Sequence, residues 1–191
     1  MAHAQQPELV ETTGIPSPKL GMWLFLSGEI VLFGGVIMSI VMFRLSFSGW
    51  AEESTHTNTI IGTWNTFNLL TSSMLVAIAY KMSRLGRRGM AMACLGGTLA
   101  FALLFTILKA IEWSIEIHEG FTIFAGPFWQ FYYGATGLHA LHVLVGVVLF
   151  SVILVLYGGR WRPNYTVENA ALYWHFVDIV WLFLWPLFYL S

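Results

Sequence analysis

A few residues able to do acid–base or ligand chemistry stand in surroundings that ought to exclude them. Glu29 lies in an otherwise apolar stretch from Leu20 to Phe43. His139 and His142 are three apart in Gly137-Leu138-His139-Ala140-Leu141-His142. His175 and Asp178 have the same spacing in Tyr173-Trp174-His175-Phe176-Val177-Asp178-Ile179-Val180-Trp181, and Glu112 follows Lys109 by three. Three-residue spacing puts both members of a pair on one helix face. Carboxyl and imidazole groups can hold, share or pass a proton, and imidazole also binds haem iron and copper. The single cysteine, Cys94, excludes a disulfide framework, a cysteine zinc site, an iron–sulfur cluster and a covalent haem motif.

The elements that must position these residues follow from composition. Of 191 residues 57% are hydrophobic and 10% charged, too few charges to cover a soluble globule. A net charge of −1 gives no reason to expect nucleic acid. Apolar runs separated by short polar links predict an all-α integral membrane protein, a bundle of five transmembrane helices at about 20–44, 60–81, 90–112, 128–157 and 168–190. The run from Phe121 to Gly159 is too long for one span, so Gly126-Pro127 is read as its punctuation. Residues 20–191 form a single domain behind a polar tail, 1–19, that carries Pro7, Pro16 and Pro18 and does not resemble a signal peptide. Lys19, Lys81, Arg84, Arg87, Arg88, Arg160 and Arg162 fall on one side of such a bundle, Arg44 and Lys109 on the other. That asymmetry places the N-terminus in the cytoplasm and the C-terminus outside.

On this frame Glu29 lies roughly 15 Å beyond Lys19, near the middle of a hydrocarbon core about 30 Å thick. His142 is about halfway along its helix, so a Glu29–His142 pair is geometrically possible. With Tyr132, Ala135 and Gly146, the two histidines form one helical stripe. His175 bonded to Asp178 within its own helix is the simplest reading of that pair, and a polar contact to a neighbouring helix is the alternative. A metal site is not expected, because an axial haem pair needs two histidines facing each other at one depth, and His175 lies nearer the cytoplasmic side than His142. Asn65, Asn68 and Ser72 share a face that can bond across a helix interface, and Gly21, Gly28 and Gly35 form a smooth strip for close packing. Trp113, Trp129 and Trp161 read as interfacial anchors. Glu112, Glu116 and Glu119 read most simply as a solvated rim, with Lys109 able to pair with Glu112, or with Glu116 if the helix continues. His3, His56 and His118 fall in the tail or loops. Glu29, His142 and Asp178 also fit an independent carrier or channel, but no internal repeat and no helix broken midway supports that reading.

Several segments together resemble subunit III of the haem–copper terminal oxidases. Lys19 to Phe33 resembles the first helix of five-helix members, with Glu29 at their intramembrane glutamate. Asn65-Thr66-Phe67 with Ser72-Ser73 is similar to their Asn-Thr helix, and Lys109-Ala110-Ile111-Glu112-Trp113 to a Gln-Ala-x-Glu-aromatic motif. Gly134 to Val143 resembles an Ala-Thr-Gly-x-His-x-x-His-Val signature, and Glu168 through Trp181 the final-helix motif. The last two are the specific ones.

The resemblance implies a helical subunit that has no catalytic residue, metal or redox cofactor of its own. It would pack on subunit I beside subunit II and other respiratory complex subunits, with haems and copper held by those partners. It further implies a bacterial cytoplasmic (inner) membrane, bound phospholipid, support of proton uptake into subunit I and protection of its catalytic centre. Glu29, Glu112, His139, His142, Glu168, His175 and Asp178 would occupy the signature polar positions. The chain lacks the first two of the seven helices of mitochondrial members. Its Lys-Ala-x-Glu version also resembles a branch associated with nitric oxide reductases, and a quinol oxidase remains a third possibility.

Overall fold

The computed structural model describes residues 17–157 and 165–190, and among them six helices and no strand. They are α1 (Ser17–Ser46), α2 (Trp50–Ser54), α3 (Thr59–Arg84), α4 (Arg88–His118), α5 (Pro127–Tyr157) and α6 (Tyr165–Tyr189). Large apolar side chains point away from the bundle: Leu24, Val31, Phe67, Val148 and Phe183 are all well exposed, and Val155 is 78% exposed. Ionisable groups such as Glu112, Glu116 and Lys109 are inside. Water would reverse that distribution, and lipid explains it. Four segments, Lys19–Ser46, Arg88–His118, Pro127–Val155 and Thr166–Tyr189, are long and apolar enough to cross a membrane, which makes this a multi-pass membrane protein.

α6 is the hub, packing on α1, α3 and α5, while α3 and α4 form a tight antiparallel hairpin. The hairpin turns at Gly86, whose φ of 71° is open to glycine without steric cost. α1 meets the bundle along Leu26, Phe33 and Ile40, buried residues seven apart, which is the repeat of a long shallow helix crossing. Its glycine strip lies outside that seam: a Cβ built at Gly21, Gly28 or Gly35 meets nothing within 4 Å. Close approach occurs instead at Gly62, where Tyr189 Cε1 would be 2.7 Å from an added Cβ, and at Gly146, where an added Cβ would run into the Trp174 ring.

The structure departs from the sequence reading in three places. The link after the first helix contains α2, which folds back so that Trp50 is buried against Phe128 and Phe188, with Nε1 donating to the Leu187 carbonyl at 3.1 Å. The helix expected to end at Glu112 runs on to His118. α1 begins at Ser17, so the end of the expected tail forms its first turn. The rest of that tail, with His3, and Arg160, Trp161 and Arg162 lie outside the described residues.

Gly146→Ala is expected to cost about 1–3 kcal/mol, because neither the indole nor the helix can give way inside a packed core. Gly28→Ala, with open space around the new methyl group, should leave stability unchanged or raise it by up to about 1 kcal/mol. Thermal unfolding of the two variants side by side checks this.

Candidate functional site

Polar chemistry inside the bundle is gathered at three levels. At the first, Glu29 of α1 meets His142 of α5, with His142 Nε2 3.2 Å from Glu29 Oε2. His142 Nδ1 is 2.8 Å from the Leu138 carbonyl. A carbonyl only accepts, so Nδ1 carries a hydrogen and Nε2 faces the carboxyl. The pair therefore shares one proton, as a carboxylic acid donating to a neutral ring or as imidazolium donating to carboxylate, and is electrically neutral either way. Phe33 edges onto the imidazole with centroids 5.0 Å apart, and Tyr173 donates to the His142 carbonyl at 2.8 Å. Toward the N-terminal ends of α1 and α6, Lys19 is bonded to Glu168 at 2.6 Å.

His139 does not share this environment. Fully buried, it packs between Phe105 and Trp181, and neither ring nitrogen finds a partner among the described residues. The single stripe expected for the two histidines is thus divided. Three residues turn a helix by about 300°, so the two rings diverge enough for α1 to take one while α4 and α6 enclose the other.

Hydroxyl–nitrogen bonds join α3 to α6 at the second level. Trp174 Nε1 donates to Ser72 Oγ at 2.9 Å, Trp181 Nε1 donates to Thr66 Oγ1 at 3.0 Å, and Ser73 Oγ lies 2.7 Å from His175 Nδ1. The bond expected between His175 and Asp178 is replaced by this bond to α3, and Asp178 Oδ1 has no donor among the described residues. A side chain leaning toward its own helix would have left the Ser73 hydroxyl to compete for the i−4 carbonyl. Asn65 and Asn68 are buried on the expected face, but the Asn65 amide makes none of the bonds across the interface. Of the expected face it is Ser72 that bonds across the interface, to Trp174, and Thr66 and Ser73 add bonds to Trp181 and His175.

The third level is the densest. Lys109 Nζ donates to Glu112 Oε2 at 3.0 Å, Tyr132 OH at 2.8 Å and Tyr189 OH at 2.7 Å, and sits 4.6 Å from the Tyr132 ring centroid. Tyr189 donates to Glu112 Oε1 at 2.6 Å, and Tyr132 to Glu116 Oε1 at 2.8 Å. Lys109, Glu112 and Glu116 are 3%, 0% and 2% exposed, so the solvated rim expected here is overturned for the two glutamates and holds for Glu119 alone. The reason is tertiary: α4 continues a turn and a half further, and tyrosines from α5 and α6 close over it. Trp129 is likewise no interfacial anchor. It is fully buried, with Nε1 donating to Glu53 Oε2 at 2.9 Å, whereas Trp113 is half-buried against Tyr133. His56 and His118 are exposed. Among the described residues no group of three or more His, Cys, Asp or Glu is placed to hold a metal ion.

An all-helical bundle with several helices long and apolar enough to cross the membrane, and with buried polar side chains bonded between helices, defines the class as a polytopic membrane protein. The family model for cytochrome c oxidase subunit III matches residues 10–191, and the chain belongs to that family. It is 32% identical over 196 residues to "Heme-copper oxidase subunit I+III" of Aeropyrum pernix, covering 96% of this chain but 24% of that longer protein. It is 32% identical over 188 residues to "Cytochrome c oxidase subunit 3" of Bacillus subtilis, covering 96% of this chain and 90% of the relative. Similarity to "Probable quinol oxidase subunit 3" of Staphylococcus epidermidis is 29% over 181 residues, 90% of this chain and 88% of the relative.

Tyr189→Phe removes a hydroxyl that accepts from Lys109 and donates to Glu112, and is expected to cost about 1–3 kcal/mol because two buried charged groups each lose a partner. Ser73→Ala, which takes one bond from the half-buried His175, should cost about 1 kcal/mol. Chemical or thermal unfolding in one detergent ranks them.

Proposed function

We propose that the chain is the non-catalytic subunit III of a respiratory haem–copper oxidase, packing on subunit I, stabilising it and supporting proton uptake and lipid binding during oxygen reduction. The observation that carries this reading is the family match across residues 10–191, joined to a relative whose name places subunits I and III in one chain. A fusion of the two parts in one relative supports subunit I as the direct partner, with subunit II as the next. Haems and copper belong to those partners. The location is a bacterial cytoplasmic membrane, with the N-terminus inside.

α3 is the fifth span on this reading. Its 26 residues rise about 39 Å, enough to cross the hydrocarbon core. Its asparagines and serines face the bundle while Ile60, Trp64, Phe67, Leu70 and Met74 face outward. The open glycine strip of α1 and the groove beside it, lined by Leu32, Gly35, Val36, Phe131 and Gly134, are free for a neighbouring subunit or lipid chain. Glu29 with His142 supports proton handling because the pair is neutral, shares one proton and lies at mid-depth. A quinol oxidase is the second reading, favoured by the Staphylococcus relative.

A mild-detergent pull-down from native membranes, with peptide identification and an optical spectrum, tests the assignment. A haem–copper subunit I should accompany the chain. A nitric oxide reductase large subunit in its place, or a chain that arrives alone and colourless, overturns it. Within the complex, Glu29→Gln should leave haem content unchanged and lower oxygen consumption several-fold; undiminished turnover removes the pair from proton handling.

A further inference from the structure

The assembly around Lys109 has more acid than its one cation can neutralise. All three ammonium hydrogens are committed, to Glu112, Tyr132 and Tyr189. Tyr189 passes its own hydrogen to Glu112 at 2.6 Å, so Glu112 is held by two donors and forms a neutral ion pair with the lysine. Tyr132, having accepted from Lys109, has one hydrogen to give. Glu116 Oε1 at 2.8 Å is nearer than Glu112 Oε1 at 3.2 Å. Glu116 Oε2 is left with Tyr133 OH at 3.5 Å, and that hydroxyl is already committed to the Phe121 carbonyl at 2.7 Å. A second carboxylate here would be a buried charge without a counter-charge, the arrangement proteins tolerate least.

Glu116 also has a way out. It lines a cavity of about 350 Å³ together with His56, Thr57, Asn58, Glu112 and Glu119, large enough for several waters, and the His56 and Glu119 side of that lining is exposed. The groups that face Glu116 are Lys109 and Glu112 on its own helix, Glu119 beyond it, Tyr132 and Tyr133 of α5, Tyr189 of α6 and His56 from the α2–α3 link. Two nearby charges are engaged elsewhere: Glu53 accepts from Trp129, and Arg44 faces the Leu187 carbonyl. We infer that the cluster around Lys109 is a second proton-binding site of this chain, in which Glu112 is the fixed counter-ion of the lysine and Glu116 takes up and releases one proton through the His56–Glu119 cavity. This site lies toward the C-terminal end of α4, apart from the Glu29–His142 pair, and its existence does not depend on which complex the chain joins.

Difference infrared spectroscopy tests it on the full chain, purified with whatever subunits accompany it. The wild type should show a carboxylic-acid carbonyl band that shifts in heavy water and falls as pH rises. Glu116→Gln should lose that band while Glu29→Gln retains it. Lys109→Gln should gain a second carboxylic-acid band, because Glu112 then has no cation and must also be protonated. A pH-dependent carboxylic-acid band identical in the wild type and Glu116→Gln, or a Lys109→Gln spectrum without the gain, overturns the proposal. Should Lys109→Gln not accumulate, Glu112→Gln serves: Glu116 becomes the lysine's carboxylate and the band disappears at neutral pH, and a band that persists there is equally fatal.

Discussion

A carboxyl group or an indole N–H inside a bilayer has no water to turn to, so its partner must come from the protein itself. In this chain the partner is repeatedly on another helix: Glu29 on His142, Trp174 on Ser72, Trp181 on Thr66, Lys109 on Tyr132 and Tyr189. Apolar packing cannot choose between arrangements of helices whose outer surfaces are as oily as the lipid. The polar bonds can, because each wrong register would strand a donor.

α6 shows how far this constraint reaches. Along one helix, Trp174, His175 and Trp181 bond to α3, Tyr173 reaches back to α5, and Tyr189 enters the Lys109 cluster on α4. Two of the close glycine approaches, Gly62 to Tyr189 and Gly146 to Trp174, serve the same side chains. Space is left where a bonded aromatic has to lie, whereas the glycines of α1 lie open. An aromatic hub with polar tips thus fixes α3, α4 and α5, and α1 is added along a smoother seam with Glu29 as its polar contact to α5.

The proton-holding pair and the lysine cluster answer the same problem differently. Glu29 and His142 have matched acid and base, so one proton satisfies both and the pair stays neutral. Around Lys109 two carboxyls share one cation, and a ring of tyrosine hydroxyls spreads the charge. Matched acid and base in one case, and two acids shared over one cation by hydroxyls in the other, each keep buried ionisable groups bonded within the bundle.

Much of this was legible before any coordinates. Run lengths set the number and order of the long helices, and counting residues from Lys19 and from Phe128 brought Glu29 and His142 to one depth, because rise per residue is constant and the slab is shared. The final-helix and double-histidine motifs indicated the family. Facing was another matter. Periodicity puts His139 and His142 on one stripe, and only the neighbours show that one ring is enclosed by Phe105 and Trp181 while the other meets α1. Glu116 read as a rim residue because nothing local buries it: its tyrosines come from α5 and from the last turn of α6. Trp50 sat in what read as a plain loop, since five residues of helix carry no periodic signal. Depth is a property of one chain segment, and facing and burial are properties of the segments around it.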